Sequence, residues 1–235
     1  MRVALNALFV GGGVAGGRVY RDGLLRGLAA AASGGTYDVY TRRPPGLPLL
    51  PQDRFRAVEA PVPDQSTVRR TAWEYGVLPG VVRRGGYDVY HALGSLSPRV
   101  RGVPTVLTVH DLTVWRFPKS NPLGHRLFML AVLPRAARAA ARVIVPSRFV
   151  AGELINRLGV RNDVVRVIPY GAGQGFHPVT DPAAVTTTLD RFGIRPPYLI
   201  AVGRGYPHKN VAGLVRAFAR LRRAGRDVRL VLVGD

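Results

Sequence analysis

The chain has 235 residues, 47% of them hydrophobic, and no cysteine. It is long enough to bury one large core, and the lack of thiols excludes disulfides, thiolate metal sites and a cysteine nucleophile. Lysine and arginine number 34 against 14 aspartates and glutamates, a formal charge of +20, which calls for an anionic partner: a phosphorylated small molecule, an anionic membrane surface or nucleic acid.

The chain opens on RVALNALFV, an apolar strand whose likeness to a signal peptide is broken by Asn6. Five glycines follow in seven positions, Gly11, Gly12, Gly13, Gly16 and Gly17, and lead into an amphipathic pattern over 17–32. YDVYTR, FRAVEAPV, YDVYHALG, PTVLTVHDL, RVIVPS and VVRVIPYG read as further strands. Helical spacing marks 66–84, 121–141 and 147–158, the last with Ser147 as N-cap. This alternation predicts an α/β fold with a doubly wound, mostly parallel sheet and ligands at the carboxyl ends of its strands. The longest apolar run, LFMLAVLP at 127–134, falls short of the roughly 20 residues that span a bilayer.

At 171 the texture changes: GAGQGFHPVTDPAA reads as neither helix nor strand. Residues 1–170 are expected to form one Rossmann-like domain and 171–196 a linker and hinge. In 197–235 a strand PYLIAVG, a loop RGYPHKN, a helix and a strand VRLVLVGD begin a second domain. A single β-α-β unit cannot cover both faces of its sheet, so this second domain is expected to be incomplete here.

Gly11, Gly13 and Gly16 satisfy G-x-G-x-x-G, the dinucleotide fingerprint. An NAD site wants an acid at the end of the second strand, but YDVYTRRPP ends in Thr41, Arg42 and Arg43, with Asp38 at the wrong end. NAD is therefore disfavoured, while NADP held by Arg42 or Arg43 stays open. Arg204 and Lys209 lie five apart between a strand end and a helix N-terminus, where backbone N–H groups already favour an anion. They read as a diphosphate clamp or as two solvated cations on a turn. Lys119 and Lys209 are the only lysines. His110 ends the strand of TVHDL and is either structural or a site residue, with Asp111 beside it as a turn-former. Scattered arginines without aromatic interleaving make nucleic acid the weakest partner.

Four patches, LIAVGRGYPHKNVAGLVRAFARL, TVHDL followed by RFP, VPSRFVAGEL and VIPYGAGQGFHP, together resemble the GT-B glycosyltransferases of the retaining family 4 group. The resemblance implies two Rossmann-like domains and a nucleoside-diphosphate sugar as donor, with no metal or other cofactor. It implies that Arg204 and Lys209 bind the diphosphate and neutralise charge as the nucleotide leaves, an electrostatic contribution to catalysis. His110 would orient a hydroxyl of the transferred sugar. Gly11, Gly12, Gly13, Gly16 and Gly17 would line the cleft where donor phosphates and acceptor meet. The acceptor would be a hydroxyl of a lipid or polysaccharide precursor, and the enzyme a hexosyltransferase of the cytoplasm, peripheral on the inner membrane face. The family's E-x7-E motif is missing, and Glu59, Glu74 and Glu153 lie in the first domain. An incomplete form of a transferase is thus expected, the alternative being a catalytically inactive relative that acts as a binding or partner subunit.

Overall fold

The computed structural model describes residues 1–10, 15–31, 34–42, 46–62, 66–173, 176–203 and 205–234. Gly11, Gly12, Gly13, Arg43 and Arg204 lie outside the described residues. The chain divides into two units, Met1–Arg116 with Leu123–Gln174, and Phe117–Pro122 with Gly175–Asp235.

In the first unit seven strands form one parallel sheet: β1 (Arg2–Asn6), β2 (Thr36–Thr41), β3 (Phe55–Glu59), β4 (Val89–Ala92), β5 (Thr105–Thr108), β6 (Arg142–Val145) and β7 (Val165–Val167). Their order is β3-β2-β1-β4-β5-β6-β7, so the winding reverses between β1 and β4. After its first residue β1 is buried throughout, as is β2, because helices cover both faces of a parallel sheet. One core cluster gathers Leu5, Leu25, Val39 and Leu93; another gathers Leu78, Val82, Tyr90, Leu107, Leu133 and Leu154.

The helices of this unit are α1 (Ala15–Ala30), α2 (Thr67–Gly76), α3 (Leu78–Arg84), α4 (Thr113–Arg116), α5 (Leu123–Ala139) and α6 (Arg148–Leu158). The helix expected over 66–84 is two helices. Pro79, in the first turn of α3, has no N–H to continue the ladder and its ring clashes with the carbonyl four residues back. The Ser66 hydroxyl accepts from the Arg69 N–H to start α2, and Ser147 accepts from Val150 to start α6. Gly159, left-handed at φ 63°, ends α6. No helix among the described residues is long and apolar enough to cross a membrane.

The second unit holds β8 (Tyr198–Val202) and β9 (Arg229–Val233), paired in parallel, with α8 (Val211–Arg223) between them in sequence. The segment read as irregular contains α7 (Pro182–Arg191). Asp181 caps it by accepting from the Ala183 N–H, and Pro182 supplies the preset φ of a first helical residue. No described residue from Phe176 to Gly234 is buried, as befits two strands and two helices with too few layers to enclose a core.

One ionic cluster braces the amino-terminal end of the first sheet. Asp38 on β2 accepts from Arg56 Nε at 2.7 Å, Arg2 Nη2 at 2.9 Å and the Tyr87 hydroxyl at 2.6 Å. Burial pushes its carboxyl up, but these three donors outweigh burial and hold it below the usual range. A depressed carboxylate stabilises the fold above its unfolded pKa and stops doing so as pH falls through its folded value. Asp38→Asn should therefore cost about 2 kcal/mol at pH 7. In urea unfolding the gap between variant and wild type should close as the pH drops below about 4.

Candidate active site

The carboxyl ends of β1, β4 and β5 converge on His110, which lies two residues past the end of β5. Its Nε2 is 2.7 Å from the Leu93 carbonyl oxygen just beyond β4. A carbonyl only accepts, so Nε2 carries the proton and Nδ1 of the neutral ring is the acceptor. The Tyr170 hydroxyl donates to that Nδ1. The His110 backbone N–H meets Ser95 Oγ at 3.3 Å. Three rings wall the imidazole: Phe9 at 5.4 Å, Tyr20 edge-on at 4.9 Å and Tyr170 at 5.7 Å between centroids. Burial lowers the pKa of His110; the bond to Leu93 and the charge of Asp111 oppose that shift only in part. A neutral imidazole serves as a fixed hydrogen-bonding group.

Beneath this ring runs a second polar chain. The Tyr20 hydroxyl on α1 and Nε2 of His91 on β4 each lie 2.9 Å from Thr108 Oγ1. It ties the first turns of α1 to the centre of the sheet. Thr108 and His110 are two apart and so share a direction along an extended chain. That alternation was the available sequence signal for Thr108. Tyr20, His91, Phe9 and Tyr170 arrive from other elements and carried no local mark.

Phe9 is held by Gly94. A Cβ at position 94 would sit 2.9 Å from both Cβ and Cγ of Phe9, closer than packed carbons approach. Phe9 and Gly94 also line a cavity of about 160 Å³ reached by Asn6, Arg70, Glu74, Ser95 and His125. Asn6 Nδ2 donates to Glu74 Oε1 at 3.0 Å, and Arg70 Nε lies 3.3 Å from Glu74 Oε2. Burial raises the Glu74 carboxyl, with Arg70 the first of the groups acting against it. The sequence marked Glu74 only as a first-domain glutamate; its place at the reversal of the sheet, where ligands of such sheets bind, emerges with the fold.

The other expected site residues divide. Gly16 and Gly17 belong to the first turn of α1 rather than to a loop. Among the described residues outside its own turn, a Cβ at Gly16 would meet nothing within 4 Å, so packing against them does not require glycine there. Asp111 is a turn-former: its Oδ1 accepts from the Thr113 N–H at 2.8 Å. Arg42 is buried and donates to the Leu8 carbonyl at 2.7 Å, which removes it as a ligand for an NADP phosphate. In the second unit Lys209 is exposed and closes a 3-10 turn, Pro207–Lys209. Asn210 follows in the left-handed region at φ 52° and precedes α8. A Cβ at Gly213 would come within 2.5–2.7 Å of the Asn210 side-chain amide. The His208 ring stacks on Tyr206 at 5.6 Å.

The buried His91 and the half-buried His110 give a direct check. Burial pulls His91 down to about 4, and His110 is shifted the same way. In a nitrogen-15 NMR titration the His91 ring should stay neutral through pH 6.5, and the His110 ring should take its proton at a lower pH than a free imidazole does. Because the unfolded chain binds protons there first, stability should fall from about pH 6.5 toward 4.

Residues 14–172 match Glycosyltransferase Family 4. The 2-deoxystreptamine glucosyltransferase of Streptomyces kanamyceticus is 34% identical over 149 residues, which covers 60% of this chain and 38% of that protein. HepE of Anabaena, in a crystal structure with UDP and glucose, aligns with a TM-score of 0.64 at 17% identity and covers 100% of this chain and 61% of its own. WaaG, a glycosyltransferase involved in lipopolysaccharide biosynthesis, aligns at 0.62 with 15% identity, covering 99% and 63%. The chain thus spans well under half of the curated relative and less than two thirds of either solved structure. At these identities the structural matches speak for the fold, which is of the GT-B type. With the family match extending over more than half its length, the chain belongs to Glycosyltransferase Family 4.

Proposed function

We propose that the full-length protein is a retaining glycosyltransferase that moves a hexose from a nucleoside-diphosphate sugar to a hydroxyl acceptor. The observation that carries this reading is the neutral His110, walled by aromatic rings at the carboxyl edge of the sheet, with two of its neighbours, Phe9 and Ser95, also lining a cavity. His110 orients a hydroxyl of the transferred sugar. Arg204 and Lys209 hold the diphosphate and stabilise its charge as the glycosidic bond breaks. The departing phosphate takes the acceptor proton on the same face of the sugar, which retains the anomeric configuration.

The cavity beside Phe9 takes the acceptor. Arg70, Ser95 and His125 on its wall offer hydrogen-bonding groups to a polyhydroxylated ring, while the Asn6 amide is spent on Glu74, Tyr90 and the Leu8 N–H. A related protein is named for glucosylating 2-deoxystreptamine, another works in lipopolysaccharide biosynthesis, and HepE binds UDP and glucose. These names support a nucleotide-sugar donor and leave two acceptor classes, of which we favour the precursor of a cell-envelope lipid or polysaccharide. The charge of +20 supports peripheral docking on the anionic inner membrane face.

Full-length protein should release nucleoside diphosphate from one of UDP-glucose, GDP-mannose and dTDP-glucose. Lys209→Ala should lower kcat/KM for that donor about 100-fold or more, the usual loss when a charge-stabilising group is removed. Unchanged kcat/KM would remove Lys209 from the diphosphate site. Flotation with vesicles rich in anionic lipid should carry the protein upward at low salt and release it at high salt. Protein that stays at the bottom at low salt would end the membrane reading.

A further inference from the structure

Tyr170 occupies the one atom of His110 that a sugar hydroxyl needs. Nε2–H is committed to the Leu93 carbonyl, so Nδ1 is the only ring nitrogen that can accept, and the Tyr170 hydroxyl already donates to it. A phenol O–H and a sugar O–H make the same bond to an imidazole nitrogen. Tyr170 also stands where it can leave. The last ladder bond after β7 runs from the Ile168 N–H to the Val145 carbonyl at 2.9 Å. Pro169 has no N–H, Tyr170 is 41% exposed, and Gly171, Ala172 and Gly173 follow. Its ring leans on Tyr20 at 4.8 Å as well as on His110, so its hydroxyl can withdraw with the sheet intact. Burial raises its pKa, which keeps it a phenol with a proton to donate.

We infer that Tyr170 is a stand-in for the substrate: its hydroxyl saturates His110 Nδ1 until a hydroxyl of the donor sugar replaces it. This rests on the reading that His110 faces the transferred sugar. The exchange trades one neutral hydrogen bond for another, so Nδ1 of the half-buried His110 keeps a donor throughout. It also makes Tyr170 a specificity determinant. A sugar with a hydroxyl at that position compensates Nδ1, whereas the corresponding deoxy sugar must compete with Tyr170 and offers nothing in return.

The test uses full-length protein and the sugar nucleotide that the donor panel selects. Tyr170→Phe keeps the ring on Tyr20 and removes the competing hydroxyl. Donor KM should fall about 2- to 10-fold, the worth of one neutral hydrogen bond, with kcat little changed. In a His110→Ala background the same substitution should leave donor KM where it was. An unchanged or higher KM for Tyr170→Phe, while His110→Ala impairs turnover, overturns the exchange and spares the transferase reading. If His110→Ala alters neither kcat nor KM, the placement of His110 at the sugar fails and the exchange fails with it. Should Tyr170→Phe not fold, nitrogen-15 NMR of the wild type decides: donor binding should shift the His110 Nδ1 and Tyr170 ring resonances together, and a still Nδ1 resonance would overturn the proposal.

Discussion

The parallel pairing of β1 with both β2 and β4 is the constraint on which the candidate site depends. It fixes Asn6 opposite Ala92, and the reversal of winding at this pair parts the connections that leave the two strands. From that opening come Phe9 on one side and Leu93, Gly94 and Ser95 on the other. Leu93 sets the tautomer of His110, Gly94 makes room for Phe9, and Ser95 holds the His110 backbone. Slipping either strand by one residue would turn Asn6 to the opposite face and shift the segments that follow both strands.

Charge is used unevenly across the molecule. The chain is strongly cationic, yet its candidate sugar site is built from neutral donors and acceptors. His91 and His110 are kept uncharged by burial, and Tyr20, Tyr170 and Thr108 supply hydroxyls. Cations gather instead where phosphate is expected, at Lys209, and around structural carboxylates such as Asp38. A neutral lining suits a sugar, whose hydroxyls are recognised by directional hydrogen bonds. The diphosphate, in contrast, calls for charge.

The seven strands of the large sheet were legible because each is an apolar, β-branched run bounded by turn residues, and Ser147 was legible as a cap. The break at Pro79 and the start of α7 at Asp181-Pro182 were also written locally, but helical periodicity on either side of Pro79 and the glycines before Asp181 masked them. His110 could be named from its position after a strand. Its partners could not: Tyr20 reaches Thr108 across 88 residues and Tyr170 reaches His110 across 60. Neither pair is signalled until the sheet order is known. Tyr170 in particular reads from sequence only as the last residue of the first domain, and its hydroxyl's position is what connects it with the chemistry. Glu74 was set aside for lying in the wrong domain, when its burial beside Asn6 is what makes it interesting.

The central claim is that the transferred sugar rests at the carboxyl edge of β1, β4 and β5, against His110. A crystal structure of the full-length protein with an intact, non-transferable analogue of its donor tests this most directly. The expected result is a sugar hydroxyl within hydrogen-bond distance of His110 Nδ1, with Phe9 and Tyr20 against the ring. A sugar bound elsewhere, with the Tyr170 hydroxyl still on Nδ1, would contradict it.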